Sequence, residues 1–233
     1  MGVSYNPRIV TDGLVFCVDA ANPRSYPGAG TTWTDLTSDN NNVTLVNGPV
    51  FDSGNGGSIL FDGTNDYGWF SRNGGTNFDG KDEISLCTWV NYQATGTNHT
   101  YVMMEDKINQ DNVEPVRLYC DSSGTFKGAI HTGAYDVVPT DVIVATGVWF
   151  HISMTYDGSI LKYYINANLL SSTSADGNIR TPENTARWLL GCGEIPAARY
   201  SNAKLSLVQI YNRALSAQEI RQNYKATKGR FEV

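Results

Sequence analysis

At 233 residues, 41% of them hydrophobic and 17% charged, the chain is long enough to bury a core without staples, and its surface leans on Asn, Ser, Thr and Gly. A net charge of −6 with no basic run excludes a phosphate-tracking nucleic-acid binder and an anionic-membrane binder alike. No stretch is long and apolar enough to span a bilayer, and Met1–Arg8 lacks the apolar core of a signal peptide, so the expectation is a soluble product of a cytoplasm.

In chain order, Gly13–Asp19 reads as a first strand, apolar on both faces. Asn22–Gly30 is a loop by its Pro and Gly content, Trp33–Leu36 a short anchor and Asp39–Asn42 a polar turn. Val43–Val46, Val50–Phe51 and Ser58–Asp62 are short strand pieces. Tyr67–Phe70 reads as an aromatic loop. Ile84–Tyr92 is a long strand that sets Trp89 on the face opposite Leu86 and Val90. Tyr101–Glu105 and Val116–Asp121 are further strands, and Ser122–Gly124 turns the chain into Thr125–Ile130. His131–Asp136 and Pro196–Asn202 read as aromatic loops, and Val142–Val144 leads into the next hairpin.

Trp149–Asn166 is the most informative stretch. Two alternating runs meet at Asp157-Gly158, a strong signal for a tight primed turn whose two central residues both need positive φ. One run sets Phe150, Ile152, Met154 and Tyr156 on one face; the other sets Leu161, Tyr163 and Ile165 against Lys162, Tyr164 and Asn166. Trp188–Gly191 and Leu205–Tyr211 close the β portion. Ser216-Ala217-Gln218-Glu219 is a capping box, flanked by Leu215 and Ile220 as a hydrophobic staple. It predicts a helix over 217–226, with Gly229 as the stop. Many short strands with regular turns predict an all-β, two-sheet antiparallel sandwich with a short C-terminal helix. The expected organisation is one domain over 13–233 preceded by an extension, 1–12, that anchors it to another protein. Cys17, Cys87, Cys120 and Cys192 match no zinc spacing; Cys17 and Cys87 sit in apolar runs, and all four are read as free structural thiols.

Four of these segments resemble the laminin-G-like family of the concanavalin-A-like lectin/glucanase jelly rolls: Phe61–Tyr67, Ile84–Val90, Trp149–Asn166 and Leu205–Ile220, in family order. A narrower match covers Asp19–Gly28, Trp33–Leu36, Asn47–Phe51 and Tyr224–Phe231, which resemble laminin-G-like proteins of tailed bacteriophages. The resemblance implies a non-enzymatic virion structural protein: a decoration, fibre or tail-associated adhesin that grips a host-surface glycan. It further implies virion localisation after synthesis in the host cytoplasm, other virion proteins as partners, and many copies or a homo-oligomer. Two departures stand out. The family's Asn-Gly after the second hairpin strand is Asn166-Ala167-Asn168 here, so a different turn type is expected. An acidic residue frequent in the last strand is replaced by Leu207-Val208-Gln209.

Three chemistries remain to weigh. Glycoside hydrolysis needs two flanking carboxylates; Glu105 and Asp106, with Asp111 and Glu114, form the nearest acidic cluster and read as a loop, so no enzyme is expected. His99, His131 and His151 are scattered, and His151 is read as a packed, hydrogen-bonded histidine. Calcium is the one candidate cofactor, since relatives bind it at the sandwich rim; Asp62 and Asp66 are its candidate ligands. The competing and favoured reading is that Asp62 and Asn65 hold a turn through side-chain bonds to backbone. For glycan binding the candidates are Tyr135 and Asp136 in one loop and Arg199 and Tyr200 in another, against the alternative that these aromatics plug loops onto the core or form a subunit contact. The alternatives to a virion role are a cellular lectin-like carbohydrate-binding module and a degenerate glycoside hydrolase.

Overall fold

A computed structural model describes residues 7–94, 99–105, 114–133, 135–138, 142–143, 145–182, 186–193 and 199–231. In chain order the first strands are β1 Leu14–Asp19, β2 Thr32–Trp33, β3 Val43–Val46, β4 Val50–Asp52, β5 Ser58–Asp62, β6 Tyr67–Ser71, β7 Glu83–Tyr92 and β8 His99–Met104. There follow β9 Val116–Cys120, β10 Phe126–His131, β11 Tyr135–Val138, β12 Trp149–Asp157, β13 Ile160–Ile165, β14 Asn168–Ser174, β15 Arg187–Leu190 and β16 Asn202–Tyr211, then helix α1 Ala217–Thr227.

These strands form two antiparallel sheets of a jelly-roll sandwich. The back sheet runs β14-β13-β12-β7-β16-β5-β4, and the front sheet β11-β10-β9-β8-β15-β6-β3-β2. Strand β16 holds the back sheet together: one edge pairs with β7, while the other pairs with β5 over Asn202–Leu205 and with β1 over Leu207–Tyr211.

Alternation places the core where the sequence requires it. Ile152, Met154 and Tyr156 of β12 join Leu161, Tyr163 and Ile165 of β13 between the sheets, with Leu86 and Val90 of β7. Phe16 of the back sheet stacks on Phe70 of the front sheet at 4.1 Å, which ties the two layers directly. Close approach also dictates Gly128 in β10, where a Cβ would lie 2.6 Å from the Met154 sulfur.

The back sheet is buried on its outer face as well. Cys87, Tyr164 and Tyr211 pack with Leu215 and Ile220, while Cys17, Trp89, Trp149 and Leu207 pack with Phe231. Trp89 therefore points away from Leu86 and Val90, towards α1. Its ring stacks on Phe231 at 4.0 Å, and its Nε1–H donates to Thr227 Oγ1 at 2.8 Å. His151 lies in the same layer, its ring 5.3 Å from Trp89, and Ser153 Oγ stands 3.5 Å from its Nδ1. Burial pushes the His151 pKa down to about 3, so the ring is neutral at ordinary pH.

Helix α1 starts as the capping box requires. Glu219 N–H donates to Ser216 Oγ at 3.3 Å, and Ser216 N–H donates to Glu219 Oε2 at 2.9 Å. Arg213 clamps the same carboxylate, and that hydrogen bond holds Glu219 down at about 2. The expected glycine stop is corrected. The helix runs to Thr227 and tightens into a 3₁₀ turn, Lys228–Arg230, that delivers Phe231 to Trp89.

The described part of the head, from Pro7, is bonded to the domain it precedes. Val10 is buried, its N–H donates to Asn223 Oδ1 at 2.7 Å, and its carbonyl accepts from Tyr211 Oη at 3.0 Å. Gln222 Nε2 donates to the Arg8 carbonyl at 2.8 Å.

Both hairpin turns differ from expectation. Tyr156 pairs with Leu161, so the turn centres on Gly158-Ser159 rather than Asp157-Gly158. Gly158 has positive φ (83°), whereas Asp157 serves through its carboxylate, which accepts from the N–H groups of Ser159 and Ile160. The second turn, expected to be of a different type, has the primed form. Ile165 pairs with Asn168, and both central residues are left-handed, Asn166 at φ 50° and Ala167 at φ 64°. All four cysteines are free and buried, and burial raises every thiol pKa, that of Cys87 to about 12.

Candidate functional site

Helix α1 covers the back sheet, and on the outer face of the front sheet Met103, Leu189 and Arg117 are buried while Tyr67, Trp69, Arg187, Arg199 and Tyr200 are half-buried. The register of this face follows from the pairing: Trp69 of β6, Leu189 of β15, Met103 of β8 and Arg117 of β9 lie side by side. Their neighbours Phe70, Trp188, Met104 and Val116 turn into the core. Met103, Leu189 and Cys192 form a small apolar floor, against which Tyr67, Trp69 and Tyr200 pack while staying partly exposed. Tyr67 and Tyr200 approach to 6.5 Å between ring centres, tilted by 33°.

Charge surrounds this aromatic group. Arg187 grips Glu105 with two bonds, Nε to Oε2 at 3.0 Å and Nη2 to Oε1 at 3.3 Å, and its guanidinium lies 5.2 Å from the Trp69 ring centre. Arg117 lies 3.9 Å above the Tyr119 ring, and its Nε donates to Thr100 Oγ1 at 3.2 Å. Glu114, almost wholly buried, stands 3.8 Å from Arg117 and 3.5 Å from Arg199. Burial raises the Tyr119 phenol pKa against the opposing pull of Arg117.

Arg199 and Tyr200 are held by backbone bonds. Gly193 N–H donates to the Arg199 carbonyl at 3.0 Å, Ser201 N–H to the Gly191 carbonyl at 2.9 Å, and Ser201 Oγ to the Thr100 carbonyl at 2.5 Å. Burial, helped by Cys192 and Tyr67, raises the Tyr200 phenol pKa, so it stays a neutral donor.

Of the residues picked from sequence, Arg199 and Tyr200 join this face. Tyr135 and Asp136 do not sit in a loop. They belong to edge strand β11, paired with His131 and Ile130, and β10 separates them from β9. Tyr67 and Trp69, also read as a loop, are strand residues of β6. Arg117, Tyr119, Glu114, Arg187 and Glu105 were missed as site residues. The alternation of Arg117 and Tyr119 with Val116, Leu118 and Cys120 was the available signal. Asp106 and Asp111 lie outside the described residues.

Asp62 and Asp66 sit at the turn between β5 and β6. Asp62 Oδ1 accepts from Thr64 N–H at 2.7 Å and from Asn65 N–H at 3.3 Å, while Asp66 Oδ2 accepts from Asp62 N–H at 3.2 Å. Burial and the Asp62 charge raise the Asp66 pKa. For Asp62 burial acts in the same direction, but backbone donors outweigh it and its pKa falls. Among the described residues no group of three His, Cys, Asp or Glu side chains could hold a metal ion. A groove of about 870 Å³ lies on the opposite side of the molecule, between α1 and the β13–β14 turn. Its aromatic residue, Tyr164, is 3% exposed and belongs to the buried cluster with Leu215 and Ile220.

A family model of the concanavalin A-like lectin/glucanases superfamily matches residues 62–221. No curated protein matches the chain. Among solved structures, the binding domain of Paraclostridial Mosquitocidal Protein 1 is similar at TM-score 0.67 and 18% identity, over 91% of this chain and 52% of that one. Trypanosoma rangeli sialidase in complex with sialic acid is similar at TM-score 0.70 and 15% identity, over 97% and 36%. Domain 4 of AbnA, a GH43 extracellular arabinanase from Geobacillus stearothermophilus, in complex with arabinotriose, is similar at TM-score 0.70 and 15% identity, over 91% and 98%. The chain thus spans about half of the first of these, about a third of the second and nearly all of the third.

Proposed function

We propose that this chain, a member of the concanavalin A-like lectin/glucanases superfamily, is a non-enzymatic glycan-binding subunit whose setting is the virion of a tailed phage. There it serves as a decoration, fibre or tail-associated adhesin, made in the host cytoplasm and displayed in many copies. The observation that carries the binding part is the front-sheet outer face, where Tyr67, Trp69 and Tyr200 offer partly exposed rings beside Arg187 and Arg199. Sugars present C–H faces to rings and hydroxyls to polar neighbours, and such mixed surfaces give orientation as well as contact area. The arginine partners of Glu105 and Glu114 support a passive role, because a glycosidase needs one carboxyl group poised to protonate and another poised to attack. In this reading Arg199 and Tyr200 belong to the grip, and Asp62 and Asp66 serve their turn.

The virion setting rests on the likeness of Asp19–Gly28, Trp33–Leu36, Asn47–Phe51 and Tyr224–Phe231 to phage laminin-G-like proteins. Multiple copies convert weak single sites into strong attachment. The binding part is tested on a glycan array with and without calcium, using the wild type, Trp69→Ala and Tyr200→Ala. Capture by the wild type, weakened in both variants, is the expected result; capture unchanged in both variants would remove this face from the reading. Mass spectrometry of purified particles tests the setting, and absence of the chain from them would return it to a cellular lectin-like module.

A further inference from the structure

Charge balance on the front-sheet face is uneven. Among the described residues Arg72 pairs with Asp79, Arg187 with Glu105 and Arg230 with Asp19, while Arg213 pairs with both Glu219 and Asp12. Arg117 and Arg199 instead share Glu114, at 3.8 and 3.5 Å. Among the described residues two guanidinium groups thus face one carboxylate, a surplus of one positive charge in that cluster, in a chain whose net charge is −6. Neither contact is a hydrogen bond, and among the described residues Arg117 Nη2 and Glu114 Oε1 are buried without one. Buried charged groups left in that state are costly, and a native fold that keeps them calls for a functional explanation. The two arginines differ in access: the Arg117 side chain is 5% exposed and that of Arg199 34%.

We infer that this face selects acidic glycans: a sugar carboxylate seats against Arg199, in the field of Arg117, while Tyr200 and Tyr67 support the sugar ring. The inference rests on the glycan-binding reading above and narrows it to one chemical class. A guanidinium matches a carboxylate in charge and in fork geometry, and an incoming anion restores neutrality to the Arg117–Glu114–Arg199 cluster. Arg199 reaches the ligand, whereas Arg117 acts as a positioning residue that holds the field and the place of Glu114.

The test is isothermal titration of the intact chain with two acidic probes, sialyllactose and tetragalacturonate, and their neutral counterparts, lactose and galactotetraose. An acidic probe should bind about tenfold tighter than its counterpart, and that advantage should shrink as salt rises from about 0.05 to about 0.5 M. Arg199→Ala should abolish the advantage, whereas Arg199→Lys, which keeps the charge without the fork, should retain part of it. Tyr200→Ala should weaken both classes. Equal binding of acidic and neutral probes, or an acidic advantage that survives Arg199→Ala, overturns the selectivity and leaves glycan binding standing. Failure of all four probes to bind also overturns it, and the glycan array then decides the parent reading separately.

Discussion

Replacing Ala167 with glycine should stabilise the protein, although it removes a methyl group. Ala167 is the second central residue of the β13–β14 turn and sits at φ 64°, where its Cβ crowds the backbone. Holding an L-residue there costs about 1–2 kcal/mol, a strain that glycine does not carry. Against that gain stand about 0.4–1 kcal/mol for the larger freedom of glycine in the unfolded chain, and a few tenths for the lost methyl contact of a half-buried residue. The balance is a stabilisation of roughly 0.5 kcal/mol, or about 1–2 °C in Tm for a chain of this size. Ala226→Gly supplies the opposite sign from the same chemistry. That residue lies in the last turn of α1 with helical φ, and losing its Cβ should cost about 0.5–1 kcal/mol. Guanidinium denaturation of both variants, with unchanged slopes, measures the difference. If both variants are destabilised equally, the left-handed strain assigned to Ala167 is wrong.

Phe231→Ala should cost about 3–5 kcal/mol by chemical denaturation, since it empties a buried ring site against both Trp89 and Trp149; a change below 1 kcal/mol would mean that the C-terminal turn contributes no packing. The depressed pKa of His151 makes stability fall as pH drops from about 6.5 towards about 3, because the unfolded chain takes up a proton that the native one refuses. The slope should approach ~1.4 kcal/mol per pH unit, and His151→Gln should flatten it; parallel curves for the two proteins would refute this. Deleting residues 1–11 should destabilise the domain by about 2 kcal/mol or more, since buried Val10 and its two bonds to Asn223 and Tyr211 are lost; an unchanged melting curve would show that the head is independent of the fold.

The hairpin, the long β7 and the capped helix were legible because each carries a periodic signal that local chemistry alone explains. Strand β6 was not. Gly68 interrupts Tyr67-Gly68-Trp69-Phe70 as a loop residue would, yet it is there because a Cβ would lie 2.7 Å from Val43 Cγ1 in the neighbouring strand. Strand β14 hid for another reason: Asn168–Ser174 is an exposed edge whose polar residues mark no face. Asn166-Ala167 misled because a turn can impose positive φ on alanine when the register on both sides is fixed by packed strands. As for the site, Arg199 and Tyr200 were visible as a polar aromatic pair. Their companions Glu114, Arg117 and Tyr119 arrive from a distant part of the chain, and only the strand order β9-β8-β15 brings them alongside.

The four buried thiols carry a consequence of their own. Each is shielded by apolar packing, and each is held in the unreactive protonated form, so oxidants and metals find no thiolate to attack. No crosslink contributes to the fold, so none needs to be made after synthesis or can be lost to a reductant. Disulfide formation is therefore no part of how this fold is reached, in a reducing or in an oxidising medium.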